Sequence, residues 1–99
     1  MNPSKVVREK VRKLTDLPNI GKASAADLEL LGIVKPDELL GQNPYEMYEK
    51  LCTITGCRHD PCVIDVFISI TRFVNGDDAK PWWAYTVERK IVLSKKLNR

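Results

Sequence analysis

Apolar residues recur at spacings of three and four along most of this chain, and the strict alternation that marks half-buried strands is missing. The expected fold class is therefore all-α, a compact domain of five to six helices. Asn2-Pro3 reads as a cap followed by a first-position proline, and Val7, Val11 and Leu14 trace one face of a basic N-terminal helix over 3–15. A second helix runs from about Lys22 to Leu31, with Ala25, Leu28 and Leu31 on one face and Gly32 as its stop. A short helix at about Pro36–Leu40 comes next. Asn43-Pro44-Tyr45-Glu46 combines a cap, a first-position proline and a capping-box glutamate, and opens a helix that carries Tyr45, Tyr48, Leu51 and Cys52 to a stop at Gly56.

Asp60-Pro61 opens a central helix over 61–75 in the same way. Val63, Ile64, Val66, Phe67, Ile68, Ile70, Phe73 and Val74 make it apolar almost all round, the mark of a helix buried on every side. Asn75-Gly76-Asp77-Asp78 ends it. Pro81-Trp82-Trp83-Ala84-Tyr85 reads as rings closing one end of a small core, with base stacking as the functional alternative, and a basic tail over 86–99 follows.

Between the first two helices, Leu17-Pro18-Asn19-Ile20-Gly21-Lys22, with Ala25 and Leu28 behind it, fits a tight turn. Leu17 and Ile20 anchor it, and Asn19 and Gly21 are expected at positive φ, which glycine takes freely and asparagine tolerates. Gly21 then opens a helix whose first amides have no internal partner and lie at the positive end of the helix dipole, where a phosphate oxygen can accept from them. Ala25 keeps the helices close. On the residues alone two readings stand open, a phosphate-binding turn and a corner that only packs.

At 99 residues with 43% hydrophobic content, the chain supports one modest core and a single domain over 1–99. Its net charge of +3 is unevenly spread. Both ends are basic, Arg12 and Lys13 included, whereas acidic residues outnumber basic ones between positions 14 and 60. DNA binding thus requires the basic ends to fold beside the turn. No apolar run approaches the roughly 20 residues that cross a bilayer. Nor do the N-terminal basic residues lead into an apolar signal-peptide core, so a cytoplasmic protein with no membrane partner is expected. Three cysteines, an odd number, fit reduced thiols.

Cys52, Cys57, His59 and Cys62 are the weak candidates for a metal site, within eleven positions of one another. They lack the Cys-x2-Cys knuckle that puts two thiolates on one ion, and no metal or other cofactor is expected. Cys62 lies in the first turn of a helix, where the dipole and nearby Arg58 or His59 would lower its pKa if exposed. His59-Asp60 does not make a catalytic pair, because Asp60 serves better as a helix cap. With no nucleophile turn, phosphate-cradling loop or paired carboxylates, the chain reads as a non-enzyme with no catalytic residues.

The turn resembles the helix-hairpin-helix motif, apolar-x-Gly-apolar-Gly, departing from it only where Asn19 replaces the first glycine. The likeness widens with Leu40, Pro44-Tyr45, Tyr48, Cys52, Gly56, the run Asp60-Pro61-Cys62-Val63-Ile64-Asp65-Val66-Phe67, and Trp82-Trp83. Together these resemble the small bacterial "pathogenicity locus" helix-hairpin-helix family, over roughly residues 10–90, which is similar to the C-terminal domain of TfoX-type competence regulators. The resemblance implies phosphate contacts from Asn19, Gly21, Lys22 and Ser24, to which Arg12 and Lys13 add basic charge. The expected function is binding of double-stranded DNA through its backbone, without sequence preference. The alternative is a protein-protein adaptor or homodimer using exposed apolar or aromatic residues near Tyr45, Tyr48 and Trp82, and a third reading is a metal- or redox-responsive regulator using Cys57, His59 and Cys62.

Overall fold

Side chains close to each helix end decide where the helices of this chain begin and stop. In the computed structural model, which describes residues 3–97, Asn43 Oδ1 accepts from the amides of Tyr45 at 2.9 Å and Glu46 at 3.3 Å. With Pro44 in the first position, this starts a helix over Pro44–Thr55. The helix Lys22–Leu30 ends in a Schellman motif: Gly32, at φ +83°, donates to Glu29 O at 2.9 Å, and Ile33 donates to Leu28 O at 3.0 Å. The helix Cys62–Val74 ends in the same way, with Gly76 at φ +114° and a 2.9 Å bond from Asp77 N to Arg72 O. We label these helices in chain order α1 (Lys22–Leu30), α2 (Pro44–Thr55) and α3 (Cys62–Val74), followed by α4 (Thr86–Leu97). No strand occurs among the described residues.

The architecture is all-helical, with four α-helices among the described residues where five to six are expected. The two missing helices are replaced by 3-10 turns. Over 3–15 the expected helix gives way to turns at Pro3–Lys5, Arg8–Lys10 and Leu14–Asp16. Asp16 Oδ2 accepts from the amides of Arg12 at 3.0 Å and Lys13 at 3.1 Å, capturing donors that a continuous helix would need. Arg8 meanwhile reaches a distant partner: its guanidinium lies 4.0 Å from the Phe73 ring centroid and donates to Phe73 O and, at 2.6 Å, to Asp77 O. A cation thus sits on the C-terminal carbonyls of α3, where the helix dipole favours it. The expected helix at Pro36–Leu40 is a 3-10 turn over Pro36–Leu39, because Glu38 Oε1 captures the amides of Val34 and Lys35, each at 2.8 Å. Asn2, Asn98 and Arg99, parts of the expected N-terminal cap and basic tail, lie outside the described residues.

The axis of the core is α3. Phe67, Ile68 and Ile70 are each at most 1% exposed, and burying a side chain of this size contributes about 1.5–3 kcal/mol. Met47, Tyr48 and Leu51 of α2 pack on one side, and the Trp82–Tyr85 turn and α4 pack on another. The expectation of a helix apolar almost all round needs correction, since α3 also buries Asp65, Ser69 and Thr71. Each has a partner. Asp65 accepts from Arg89 Nε at 3.0 Å, Arg89 Nη2 at 3.3 Å and Thr86 Oγ1 at 2.7 Å, fastening α4 to α3. Of the Trp82–Tyr85 rings, Tyr85 is buried, whereas Trp83 is 62% exposed and meets Trp82 edge-on. No helix among the described residues is long and apolar enough to cross a membrane.

Candidate functional site

The turn that leads into α1 is held from three directions. Leu17 and Ile20 are fully buried, and Ile20 N donates to Leu17 O at 3.4 Å. Asn19 adopts the left-handed conformation at φ +66°. Its Nδ2 donates to Ser69 Oγ of α3 at 3.0 Å and to Lys80 O at 2.8 Å, while Ser69 Oγ donates onward to Val66 O at 2.6 Å. The side-chain amide of Asn19 is thus taken up by bonds within the protein, so any phosphate contact at this position falls to its backbone N–H. What Asn19 supplies is the shape and anchorage of the turn.

Gly21 also needs correcting. Its backbone is extended, at φ −97° and ψ −169°, not left-handed, and a Cβ built there meets nothing within 4 Å. Neither strain nor crowding calls for glycine here. Glycine's effect is chemical, because it leaves α1 without a side-chain cap. Gly21 O accepts the first bond of the helix, from Ala25 N at 3.0 Å, so the amides of Lys22, Ala23 and Ser24 sit in the unpaired first turn. Lys22 is exposed and Ser24 half-buried.

Arg12 and Lys13 are both exposed at the entrance to the turn. Arg12 Nη1 donates to Glu9 O at 2.7 Å and to Val11 O at 3.3 Å, which fixes its guanidinium close to its own backbone. The carboxylate of Asp16 is held by the amides of Arg12 and Lys13, bonds that lower its pKa below the usual carboxylate value. Sequence reasoning missed Lys80, an exposed residue whose carbonyl bonds Asn19 across a separation of 61 positions. Nothing local in the sequence signals that pairing.

The cysteine and histidine candidates do not converge. Cys52 is buried, Cys57 exposed and Cys62 half-buried, and no group of three or more His, Cys, Asp or Glu among the described residues is placed to hold a metal ion. His59 Nε2 lies 2.8 Å from Thr55 Oγ1 and 3.9 Å from Cys57 Sγ. The expected lowering of the Cys62 pKa is reversed. A hydrogen bond to the Asp60 carboxylate, then burial, push the thiol up, while Asp60 Oδ1 accepts from Cys62 N at 2.8 Å. At the positions of the adaptor reading, Tyr48 is buried and Tyr45 and Trp82 are half-buried, while Trp83 beside Trp82 is exposed.

With this geometry in view, comparison with known proteins identifies the relatives. The pathogenicity locus family matches residues 7–91. The chain belongs to that family. It is also similar to the mitomycin resistance protein McrB of Streptomyces lavendulae, 40% identical over 81 residues, which cover 82% of this chain and 77% of that protein. No solved structure matches the chain. The turn, Asn19, Lys22 and Lys80 all fall within the span that the family shares.

Proposed function

We propose that this domain binds the phosphate backbone of double-stranded DNA, with little sequence preference and no chemistry of its own. The observation that carries this reading is the uncapped first turn of α1, presented by a rigidly anchored turn with Lys22 in it, Lys80 beside Asn19, and Arg12 and Lys13 at its entrance. Unpaired amides at a helix N-terminus suit a phosphate oxygen, and the cations displace counterions. In this reading the turn works as a helix-hairpin-helix whose first limb is the 3-10 turn Leu14–Asp16, as the likeness to the C-terminal domain of TfoX-type competence regulators suggests. A cytoplasmic location goes with it. Several acidic residues offer less repulsion than their number implies, because Glu49 pairs with Arg58, Glu88 with Arg72 and Asp65 with Arg89. The relative's name adds a cellular test: expression of the chain is expected to raise survival under mitomycin.

The direct test is a fluorescence titration with a random-sequence duplex. If each of the four cations neutralises one phosphate, affinity falls about 10²-fold between roughly 50 and 200 mM salt. Gly21→Asp separates binding from folding. The extended backbone and open space at position 21 accept the carboxylate, which caps α1 and repels phosphate. The variant is expected to gain a few tenths of a kcal/mol in stability while losing DNA affinity. Salt-independent binding, or no binding at low salt, refutes the proposal.

One observation favours a second reading as an adaptor or homodimer. Trp83, Val87 and Ile91 are 62%, 70% and 50% exposed and lie four residues apart, forming an apolar stripe that runs from the Trp82–Tyr85 turn into α4. Self-association that persists at high salt and is lost in Val87→Glu would support it.

A further inference from the structure

On the side of the fold built by α2, the loop after it and α4, a half-open cleft of about 400 Å³ shares no residue with the turn before α1. This volume lies in the range of small-molecule sites, about 300–1,000 Å³. Its walls are apolar and come from Tyr45 and Tyr48 of α2, Pro61, Ile64 of α3 and Leu93 of α4. Tyr48 fixes the shape by donating its hydroxyl proton to His59 O, which ties the loop after α2 back onto that helix.

The charges at the rim are not equivalent. Arg58 Nη1 donates to both carboxylate oxygens of Glu49 at 2.9 Å, so that pair is close to neutral as the cleft meets it. Lys96 Nζ stands 5.1 Å from the Tyr45 ring centroid and pairs with no carboxylate among the described residues. The cleft therefore presents an apolar body site beside one uncompensated cation. We propose that it binds a small, flat, largely apolar organic anion, with aromatic rings against Tyr45, Pro61 and Leu93 and a single carboxylate or sulfonate at Lys96. Ring faces and aliphatic walls favour a planar body, and the ammonium selects the charge.

The test uses the full chain and two fluorescent probes, anilinonaphthalene sulfonate and its uncharged counterpart phenylnaphthylamine. Both are expected to bind saturably at one site, with amide chemical-shift changes centred on the residues that line the cleft. Lys96→Glu, at an exposed position outside the core, should weaken the anion about tenfold and the neutral probe less than about twofold. Gly21→Asp should leave both unchanged, which keeps this result independent of DNA binding. The proposal is overturned by absent or unsaturable binding, by shift changes centred on Trp83, Val87 and Ile91, or by a Lys96→Glu variant that weakens both probes equally.

Discussion

Replacing Asp65 with alanine would strand a guanidinium in the interior. Asp65 has no exposed surface and Arg89 is only 8% exposed, so water cannot take over the lost partner. Breaking a buried ion pair from one side costs about 3–5 kcal/mol. Losing the acceptor for Thr86 Oγ1, now at 2.7 Å, adds about 1 kcal/mol. A total of about 4–6 kcal/mol is a large part of the roughly 5–15 kcal/mol that holds a domain of this size together. At about 5 °C per kcal/mol, the slope for a chain of about 100 residues, the melting temperature should fall by roughly 20–30 °C. Urea unfolding followed by Trp82 and Trp83 fluorescence, with thermal circular dichroism alongside, would measure it. The double variant Asp65→Leu/Arg89→Met removes both charges and should lie within about 2 kcal/mol of the parent. If Asp65→Ala costs less than about 1 kcal/mol, or the double variant is no more stable than the single, the claim that this pair is a desolvated, mutually dependent fastening of α4 to α3 is wrong.

Three further outcomes are expected. Asn19→Ala combines an unfavourable left-handed alanine with loss of the bonds to Ser69 and Lys80, and should cost about 2–4 kcal/mol in urea unfolding, of which Asn19→Gly recovers about 1 kcal/mol. In iodoacetamide labelling near about pH 8, mapped by mass spectrometry, exposed Cys57 should react first and Cys62 more slowly because Asp60 and burial raise its pKa, while Cys52 waits for unfolding. The amides of Arg12 and Lys13 hold the Asp16 pKa below its ordinary 3.8, so as pH falls the unfolded chain takes up this proton first. The stability Asp16 contributes is thus present above 3.8 and is lost as pH drops through its folded value, and Asp16→Asn should flatten that part of an acid-unfolding curve.

Much of the helical framework is legible in the sequence because its causes are local. Asn43 and the amides it caps lie within three residues of one another, Gly32 closes α1 over a span of six residues, and the apolar run of α3 needs no distant partner to declare itself a core helix. Helix periodicity and capping are short-range physics, and short-range patterns survive in a linear reading. The N-terminal segment shows where that fails. Val7, Val11 and Leu14 have helical spacing, yet Asp16 captures two of the amides and Arg8 leaves to cap α3 some 65 positions away.

The candidate site divides along the same line. Leu17, Ile20 and Asn19 mark a turn in the sequence, and Lys22 follows it directly. Only the folded chain shows that the Asn19 side chain is an internal tether, that Gly21 is extended and that Lys80 belongs beside the turn. The apolar cleft between α2 and α4 likewise has no linear signature, since its walls come from residues 45 to 96. Local hydrogen bonding and periodicity determined the helices; the hydrogen bonds and burial that join distant residues, whose partners cannot be enumerated from one strand of letters, decided which of their surfaces are free to bind.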